Sequence, residues 1–156
     1  MVECHRMTSK FLGDAEELLG AFLSQDEYYL ASSPAYGDGG RAALKGALEL
    51  FLARPELGFV WLADDRGEAV GVCVVCYAIS TSIGAVVAKL DDVFVKDGRQ
   101  GEGVGSALLD QLKAELRKQG VRRLDTSVHL ENEGARRFYE RHGFLALHEE
   151  RLACVL

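Results

Sequence analysis

Three glycines at alternating positions, Gly101, Gly103 and Gly105, lie between an apolar run and the start of a helical pattern. Glycine permits positive φ angles and lets a ligand approach the main chain closely. Such a loop directs free backbone N–H groups and the positive end of a helix toward an anion, most often a phosphate. The sequence therefore predicts a phosphate-binding loop formed by Gln100, Gly101, Glu102, Gly103, Val104, Gly105 and Ser106.

This loop differs from two common nucleotide-binding motifs. A Walker A loop ends in Gly-Lys-Ser or Gly-Lys-Thr, whereas Gly105 and Ser106 are adjacent here and the lysine is missing. A dinucleotide-binding fingerprint needs the spacing GxGxxG, whereas this loop reads GxGxG and continues with Ser-Ala-Leu. A glycine-rich turn that binds no ligand remains the alternative interpretation.

A second segment whose residues could take part in chemistry extends from Asn132 to Phe144. Asn132 is suited to cap a helix that begins at residue 133. Phe138 is interpreted as a core residue, but the hydroxyl of Tyr139 makes full burial costly unless it finds a partner. A phenol near a reaction centre can donate a proton, and a purely structural tyrosine is the alternative.

Hydrophobic periodicity predicts the elements that position these two segments. Strands are predicted at residues 2–7, 59–63, 70–79, 86–95, 122–129, 144–147 and 151–155, and helices at 11–23, 44–52, 103–118 and 133–142. The order β-α-α-β-β-β-α-β-α-β-β describes an α/β domain with a mixed sheet, in which residues 86–129 bring two parallel strands together. Residues 25–40 are mixed in character, and residues 37–40 have turn chemistry.

Composition narrows the function classes. The chain has 156 residues, 48% of them hydrophobic, which suits a single domain over residues 1–156. A formal net charge of −6 disfavours binding to the nucleic-acid backbone. The polar N-terminus is unlike a secretory signal, and no run approaches the roughly 20 apolar residues of a membrane helix. We expect a cytoplasmic protein that binds neither nucleic acid nor membrane.

The four cysteines are interpreted as structural thiols in a reducing compartment. Cys73 and Cys76 have CxxC spacing, but they lie in a predicted strand. An odd offset on a strand sends the two side chains to opposite faces. The sequence therefore predicts neither a metal site nor a redox pair.

Taken together, the glycine loop and the second segment resemble the GCN5-related N-acetyltransferase (GNAT) family. The family's cofactor-binding motif, Arg/Gln-x-x-Gly-x-Gly/Ala, matches Gln100, Gly103 and Gly105. Its second motif, an asparagine followed by Ala-x-x-Phe-Tyr-x-x-x-Gly-Phe, matches Asn132, Ala135, Phe138, Tyr139, Gly143 and Phe144. The resemblance is strong over residues 85–147, and it implies a GNAT-like fold whose sheet splays between two parallel central strands.

The resemblance implies acetyl-CoA as co-substrate and direct transfer of its acetyl group. The pyrophosphate would bind the amides of residues 100–106, and Arg99 would remain available to the phosphates. Asn132 would line the other side of the cofactor. The pantetheine arm would lie in the splay and bond the backbone of Val93, Phe94 and Val95.

The resemblance also suggests the residues that transfer protons. Tyr139 matches the tyrosine that protonates the leaving thiolate. The run Leu-Asp-Asp-Val-Phe-Val is similar to one in the polyamine and diamine acetyltransferase branch, where the acidic pair binds the amine and removes its proton. Asp92 is the preferred base and Asp91 the second candidate, because strand alternation separates them and a bulge would shift the register. In the alternative interpretation both acids are solvated or neutralise Lys89 and Lys96.

The expected acceptor is a primary amine of a small molecule or a peptide. An acidic and aromatic segment falls where the family builds part of its acceptor wall, and its carboxylates and rings suit a cation: Asp26, Glu27, Tyr28, Tyr29 and Tyr36. Polyamines, amino acids, aminoglycosides and protein N-termini remain open, and the apolar run at 151–156 is compatible with a homodimer. The competing classes are a non-catalytic acyl-CoA-binding or regulatory module on the same fold and a phosphate-binding protein unrelated to CoA.

Overall fold

A computed structural model describes residues 1–36 and 39–156, with residues 32–36 described by their backbone. Its strands are β1 (Glu3–Arg6), β2 (Gly58–Asp65), β3 (Glu68–Ser80), β4 (Ala85–Val95) and β5 (Leu124–Thr126). Its α-helices are α1 (Leu12–Gln25), α2 (Glu27–Tyr36), α3 (Gly40–Ala53), α4 (Val104–Lys118) and α5 (Glu133–Arg141). Among these described helices, none is long and apolar enough to cross a membrane.

The strands form one mixed sheet in the order β1-β2-β3-β4-β5. The first three pairings are antiparallel, and the β4–β5 pairing is parallel. Parallel neighbours need a long crossover connection, and α4 supplies it. The predicted α/β fold class with a parallel strand pair is therefore confirmed, but in the described chain β5 is the edge strand of the sheet and not a central one.

Helices cover both faces of the sheet because side chains alternate along its strands. On β2, Trp61 and Ala63 join the core under α4, whereas Val60 and Leu62 join the core under α1 and α3. The two cysteines follow the same rule. Cys73 is buried on the α4 face and Cys76 is half-buried on the α1 face, as the odd spacing predicts.

The sheet splays beyond the middle of β4. The parallel register joins Ala88 to Leu124 and ends at the pair Leu90 and Thr126, whereas β4 continues to Val95. Over residues 91–95, β3 covers one edge of β4, and within the described chain no strand pairs with the other edge. The predicted gap between the parallel strands is therefore present.

One helix was not predicted in the segment at residues 25–40. α2 begins after Asp26, whose Oδ1 accepts a hydrogen bond of 2.8 Å from the Tyr29 N–H. An aspartate that caps a helix in this way is a recognised start signal, but Pro34 and the lack of one apolar stripe conceal the helix. Of the predicted turn at residues 37–40, Gly37 and Asp38 lie outside the described residues, as does the side chain of Tyr36.

The two predicted closing strands, at residues 144–147 and 151–155, are wrong. Residues 144–156 carry no strand, and their apolar side chains are exposed, including Leu145 at 85% and Leu152 at 84%. β5 is also shorter than the predicted strand at 122–129. An alternating pattern forms a strand only where a neighbouring edge offers hydrogen bonds, and three residues of β5 offer few.

Candidate active site

The glycine loop ends at a helix N-terminus that is open to a ligand. Gly101 and Gly103 have φ angles of 81° and 83°, which glycine adopts readily. Gly103 is the N-cap of α4, and it brings no capping side chain to the free N–H groups of the first turn. A Cβ atom at either glycine would meet no protein atom within 4 Å. The space in front of these amides is therefore free for an anion.

Side chains of the loop are occupied elsewhere, which leaves the backbone as its binding surface. Val104 is buried in the core, and Gly105 lies against the Phe138 ring. The Glu102 carboxylate forms an ion pair with Arg99. Ser106 Oγ lies 3.1 Å from His142 Nε2.

Gln100 and Arg99 tie the loop to neighbouring parts of the protein. The Gln100 side chain donates a hydrogen bond of 3.1 Å to the Val95 carbonyl, which ties the loop to the end of β4. The Arg99 guanidinium lies 2.7 Å from Asp65 and also pairs with Glu102. Carboxylates thus engage Nε and one terminal nitrogen of the guanidinium, and the contact of Arg99 with the phosphates stays a prediction.

A β-bulge sits at the paired acids. Val72 pairs with Phe94 and Val74 with Asp91, so Cys73 on β3 opposes two residues on β4, Asp92 and Val93. Asp92 has a φ of 55°, an uncommon angle for a residue other than glycine. A bulge re-aims side chains. This one lets Leu90 and Val93 both reach the core under α4, while Phe94 reaches the opposite core.

The two acids differ in their surroundings. Burial raises the pKa of Asp92 to about 6, and the charge of Asp91 adds to this increase. Lys89 and Arg151 partly offset the effect. Asp91 instead forms an ion pair of 3.2 Å with Lys89 and is partly exposed. The neutralising interpretation therefore describes Asp91, whereas the shifted pKa distinguishes Asp92 as the candidate base.

Tyr139 belongs to the same site. Burial raises the pKa of Tyr139 to about 12, and a hydrogen bond with the Thr126 side chain partly offsets that increase. The negative charges of Asp91 and Asp92 also raise this pKa, which shows that the phenol lies within their electrostatic reach. A phenol with this pKa keeps its proton at neutral pH.

A narrow apolar recess connects the bulge with α5. It is lined by Cys73, Leu90, Val93, Leu108, Leu109, Phe138 and Tyr139. The Phe138 ring packs against Tyr139 at 5.3 Å between centroids, which confirms Phe138 as a packing residue. The predicted backbone segment at residues 93–95 thus lies beside this recess and along the splayed edge of β4.

Asn132 caps α5, as the sequence predicts. Its Oδ1 accepts a hydrogen bond of 3.1 Å from the Ala135 N–H. The cap fixes where α5 begins and, about two turns later, where Tyr139 projects. The cap uses Oδ1, so the predicted contact of Asn132 with a cofactor would involve the side-chain amide nitrogen.

Aromatic rings line the other side of the splay. The Tyr28 ring on α2 lies 5.4 Å from the His129 ring, between centroids, in the loop after β5. Tyr29 packs against Phe22, which in turn packs against Phe94. The charge of Asp26, just before α2, also raises the pKa of Asp92. Sequence reasoning missed His129 and Thr126, because a single polar residue in or after a short strand has no diagnostic spacing.

A family model supports the interpretation of this geometry. The model of the acetyltransferase (GNAT) family matches residues 23–144, which include the bulge, the glycine loop and Tyr139. The chain belongs to the acetyltransferase (GNAT) family. This membership confirms the acetyltransferase domain that the two sequence motifs predict.

Individual relatives agree with the family assignment. The chain is 35% identical over 94 residues to an uncharacterised N-acetyltransferase of Methanocaldococcus jannaschii, covering 60% of this chain and 41% of the relative. It is 32% identical over 93 residues to the mycothiol acetyltransferase of Beutenbergia cavernae, covering 58% of this chain and 30% of the relative. The chain thus spans less than half the length of either curated relative.

Solved structures share the fold. An integron cassette protein from the mobile metagenome of Cole Harbour Salt Marsh superposes with a TM-score of 0.79 at 24% identity, covering 98% of this chain and 90% of that protein. At this identity the likeness concerns the fold alone.

Acetyltransferases of the GNAT family use acetyl-CoA, and the described residues fit this molecule. The open amides of the α4 N-terminus suit its pyrophosphate, because nothing in the protein occupies the space in front of them. The backbone edge at residues 91–94, with which no described strand pairs, suits the amides of its pantetheine arm, whereas the Val95 carbonyl already accepts from Gln100. The apolar recess beside Tyr139 then lies at the end where the thioester would be held.

Proposed function

We propose that this chain is an N-acetyltransferase that transfers the acetyl group of acetyl-CoA directly to an amine. The observation that carries the proposal is the splay itself. It brings an unpaired strand edge, an open helix N-terminus, a half-buried carboxylate and a half-buried phenol to one cleft. Bound acetyl-CoA supplies an activated acetyl thioester in that cleft.

Asp92 receives the proton of the amine in this proposal. An ammonium ion has no free lone pair, so a base must remove a proton before the nitrogen attacks a carbonyl. A carboxylate with a pKa of about 6 is ionised at neutral pH and is more basic than an ordinary aspartate. Because the acid is short and sits at a bulge, one water molecule between carboxylate and amine completes the proton path.

Tyr139 holds the proton that a departing thiolate needs. Its hydroxyl keeps the proton at Oη across the neutral range, and burial in an apolar recess keeps competing water away. Packing against the rings of Phe138 and Phe144 fixes the position of the phenol. Asp92 and Tyr139 thus have the opposite protonation states that base and acid require.

A cationic primary amine is the proposed acceptor class, in a small molecule or a peptide. Asp26 and Asp91 add negative charge near Asp92, and the rings of Tyr28 and His129 pack together between α2 and the loop after β5. Carboxylates and aromatic faces both attract a cation. Polyamines, amino acids, aminoglycosides and peptide N-termini are the members of this class to be compared.

A panel assay tests the proposal. Release of the CoA thiol from acetyl-CoA is followed with each amine class, and binding of acetyl-CoA, ATP and NAD is measured in parallel. We expect amine-dependent thiol release and preferential binding of acetyl-CoA. Binding without release on any amine would support the non-catalytic module instead. Tighter binding of ATP or NAD would support a phosphate-binding protein unrelated to CoA.

A further inference from the structure

His142 bridges the glycine loop and a carboxylate on α4. It is the C-cap residue of α5, and its side chain is only 12% exposed. His142 Nε2 lies 3.1 Å from Ser106 Oγ, and His142 Nδ1 lies 3.3 Å from Asp110 Oδ1. Ser106 is in the first turn of α4, and Asp110 lies one turn later on the same face.

Neighbouring groups hold the imidazole in this position. The Lys113 ammonium donates a hydrogen bond of 2.9 Å to the His142 carbonyl oxygen. The Phe138 ring lies 4.7 Å from the imidazole, between centroids, and Arg141 lies 6.0 Å from the centroid of that phenyl ring. The charged groups near His142 are thus Asp110 and Lys113 on α4 and Arg141 on α5.

These partners determine the direction of the Ser106 hydroxyl. The Asp110 carboxylate, 3.3 Å from Nδ1 as an ion-pair contact, favours the tautomer with its hydrogen at Nδ1, because a lone pair there would face a negatively charged oxygen. In the neutral ring, Nε2 is then an acceptor, and the Ser106 hydroxyl must donate to it. The single hydroxyl hydrogen of Ser106 therefore points toward His142. The hydroxyl oxygen then offers the loop only lone pairs, which do not bind a phosphate oxygen.

Protonation of His142 reverses that bond. Both ring nitrogens then donate, so Nε2–H donates to Ser106 Oγ and releases the hydroxyl hydrogen. The released hydroxyl can donate to a phosphate oxygen in front of the loop, and the imidazolium adds a positive charge behind it. An anion in the loop and a proton on His142 therefore favour each other.

We infer that His142 is a positioning residue that sets the direction of the Ser106 hydroxyl, so that the loop binds the pyrophosphate of CoA together with one proton. The inference rests on the proposed function, which places that pyrophosphate at residues 100–106. Histidine is suited to this coupling because imidazole is the side chain whose charge changes between about pH 5 and pH 8.

Calorimetric titration with dephospho-CoA tests the inference. This probe keeps the pyrophosphate but lacks the 3′-phosphate, whose own titration in the same range would obscure the result. Affinity is measured between about pH 5 and pH 8 in buffers of different ionisation enthalpy, which reports proton uptake directly. We expect the wild-type affinity to fall about tenfold across the range, the difference of one charge-assisted hydrogen bond.

Three variants separate the possible outcomes. His142→Gln keeps an amide that reaches Ser106 but cannot gain a charge, and Ser106→Ala removes the hydroxyl. We expect both to lose most of the pH dependence and the proton uptake. His148→Gln, at an exposed histidine outside the site, should behave like the wild type.

Each failure has its own signature. A wild-type affinity that is equal at both ends of the range, or a His142→Gln variant with the full wild-type dependence, would overturn the inference while leaving CoA binding intact. Should His142→Gln not fold, full pH dependence in Ser106→Ala would overturn it equally. Absence of dephospho-CoA and acetyl-CoA binding at every pH would refute the proposed function itself.

Discussion

The Thr126 hydroxyl donates a hydrogen bond of 2.9 Å to the Leu90 carbonyl, at the last residue pair that joins β5 to β4. The same threonine side chain lies close enough to Tyr139 to offset part of the increase in its pKa. The point at which the sheet opens is therefore also next to the candidate acid. Asp92 lies two residues beyond Leu90, so the bulge places the candidate base at the same opening.

Replacement of Asp92 by asparagine should lower turnover by about a hundredfold or more, the usual effect of losing a general base. Asparagine tolerates the positive φ at this position, so the variant removes the charge and keeps the backbone. The wild-type rate should rise with pH through about 6, as the Asp92 carboxyl ionises, and the variant should lack that limb. Steady-state kinetics across this range measure both effects.

Asp91→Asn is the matched control for that variant. Its carboxylate pairs with Lys89 at the surface side of the bulge, and we expect a loss of turnover below about tenfold. If Asp91→Asn caused the larger loss, or if Asp92→Asn retained the acidic limb, Asp92 would not be the base.

The same Asp92→Asn variant should stabilise the fold at neutral pH. The folded chain binds the Asp92 proton more tightly than the unfolded chain, because burial raises the pKa from 3.8 to about 6. Stability is therefore lost as the pH rises through this interval, and the ionised carboxylate remains a cost above it. Removing the charge should raise the free energy of unfolding at pH 7 by about 1–3 kcal/mol.

Urea unfolding of wild type and variant at about pH 4 and pH 7 measures this difference. The gain should be present at pH 7 and small at pH 4, where the folded-state carboxyl is protonated and the unfolded-state carboxyl, with a pKa of 3.8, is only about half ionised. An equal gain at both values would mean that the charge is not its source.

Replacement of Tyr139 by phenylalanine should lower turnover by about a hundredfold while leaving the affinity for acetyl-CoA nearly intact. The ring and its packing against Phe144 remain, and only the hydroxyl is lost. Tyr77→Phe is the control, since the Tyr77 hydroxyl donates to Gln119 outside the cleft. Unchanged turnover of Tyr139→Phe on a good acceptor would remove Tyr139 from its role.

Replacement of Gly103 by alanine should weaken acetyl-CoA binding at least about tenfold, or about 1.4 kcal/mol. The new methyl group would enter the open space in front of the α4 amides. Gly120→Ala is a close control, since Gly120 has a φ of 82° and equally open surroundings at the opposite end of the helix.

Both glycine variants should lose a similar 1–2 kcal/mol of stability, roughly the cost of a side chain at positive φ. Only Gly103→Ala should lose affinity. Equal affinities for acetyl-CoA in the two variants would contradict the binding role of the loop.

The long elements and the core of the site were predictable from the sequence. β3, β4 and α4 have strong periodicity, and the glycine loop and Asn132 are recognisable from local spacing. The bulge at Asp92 was anticipated only as a possibility, because an uninterrupted apolar run does not reveal an extra residue.

The remaining features depend on contacts between distant segments. α2 lacks an apolar stripe, and Thr126 and His129 acquire their roles only because β5 and α2 meet at the cleft. The closing strands failed for the converse reason, since Leu145 and Leu152 alternate as in a strand but find no surface to cover.

The ratio of acetylated amine formed to CoA thiol released tests the central claim most directly. Both products are quantified in one reaction of the chain with acetyl-CoA and the best amine of the panel. Direct transfer predicts equal amounts of the two products, both strongly reduced in Asp92→Asn. Thiol released without acetylated amine would indicate hydrolysis of the thioester, and formation of neither product with any amine would contradict the proposed acetyltransferase.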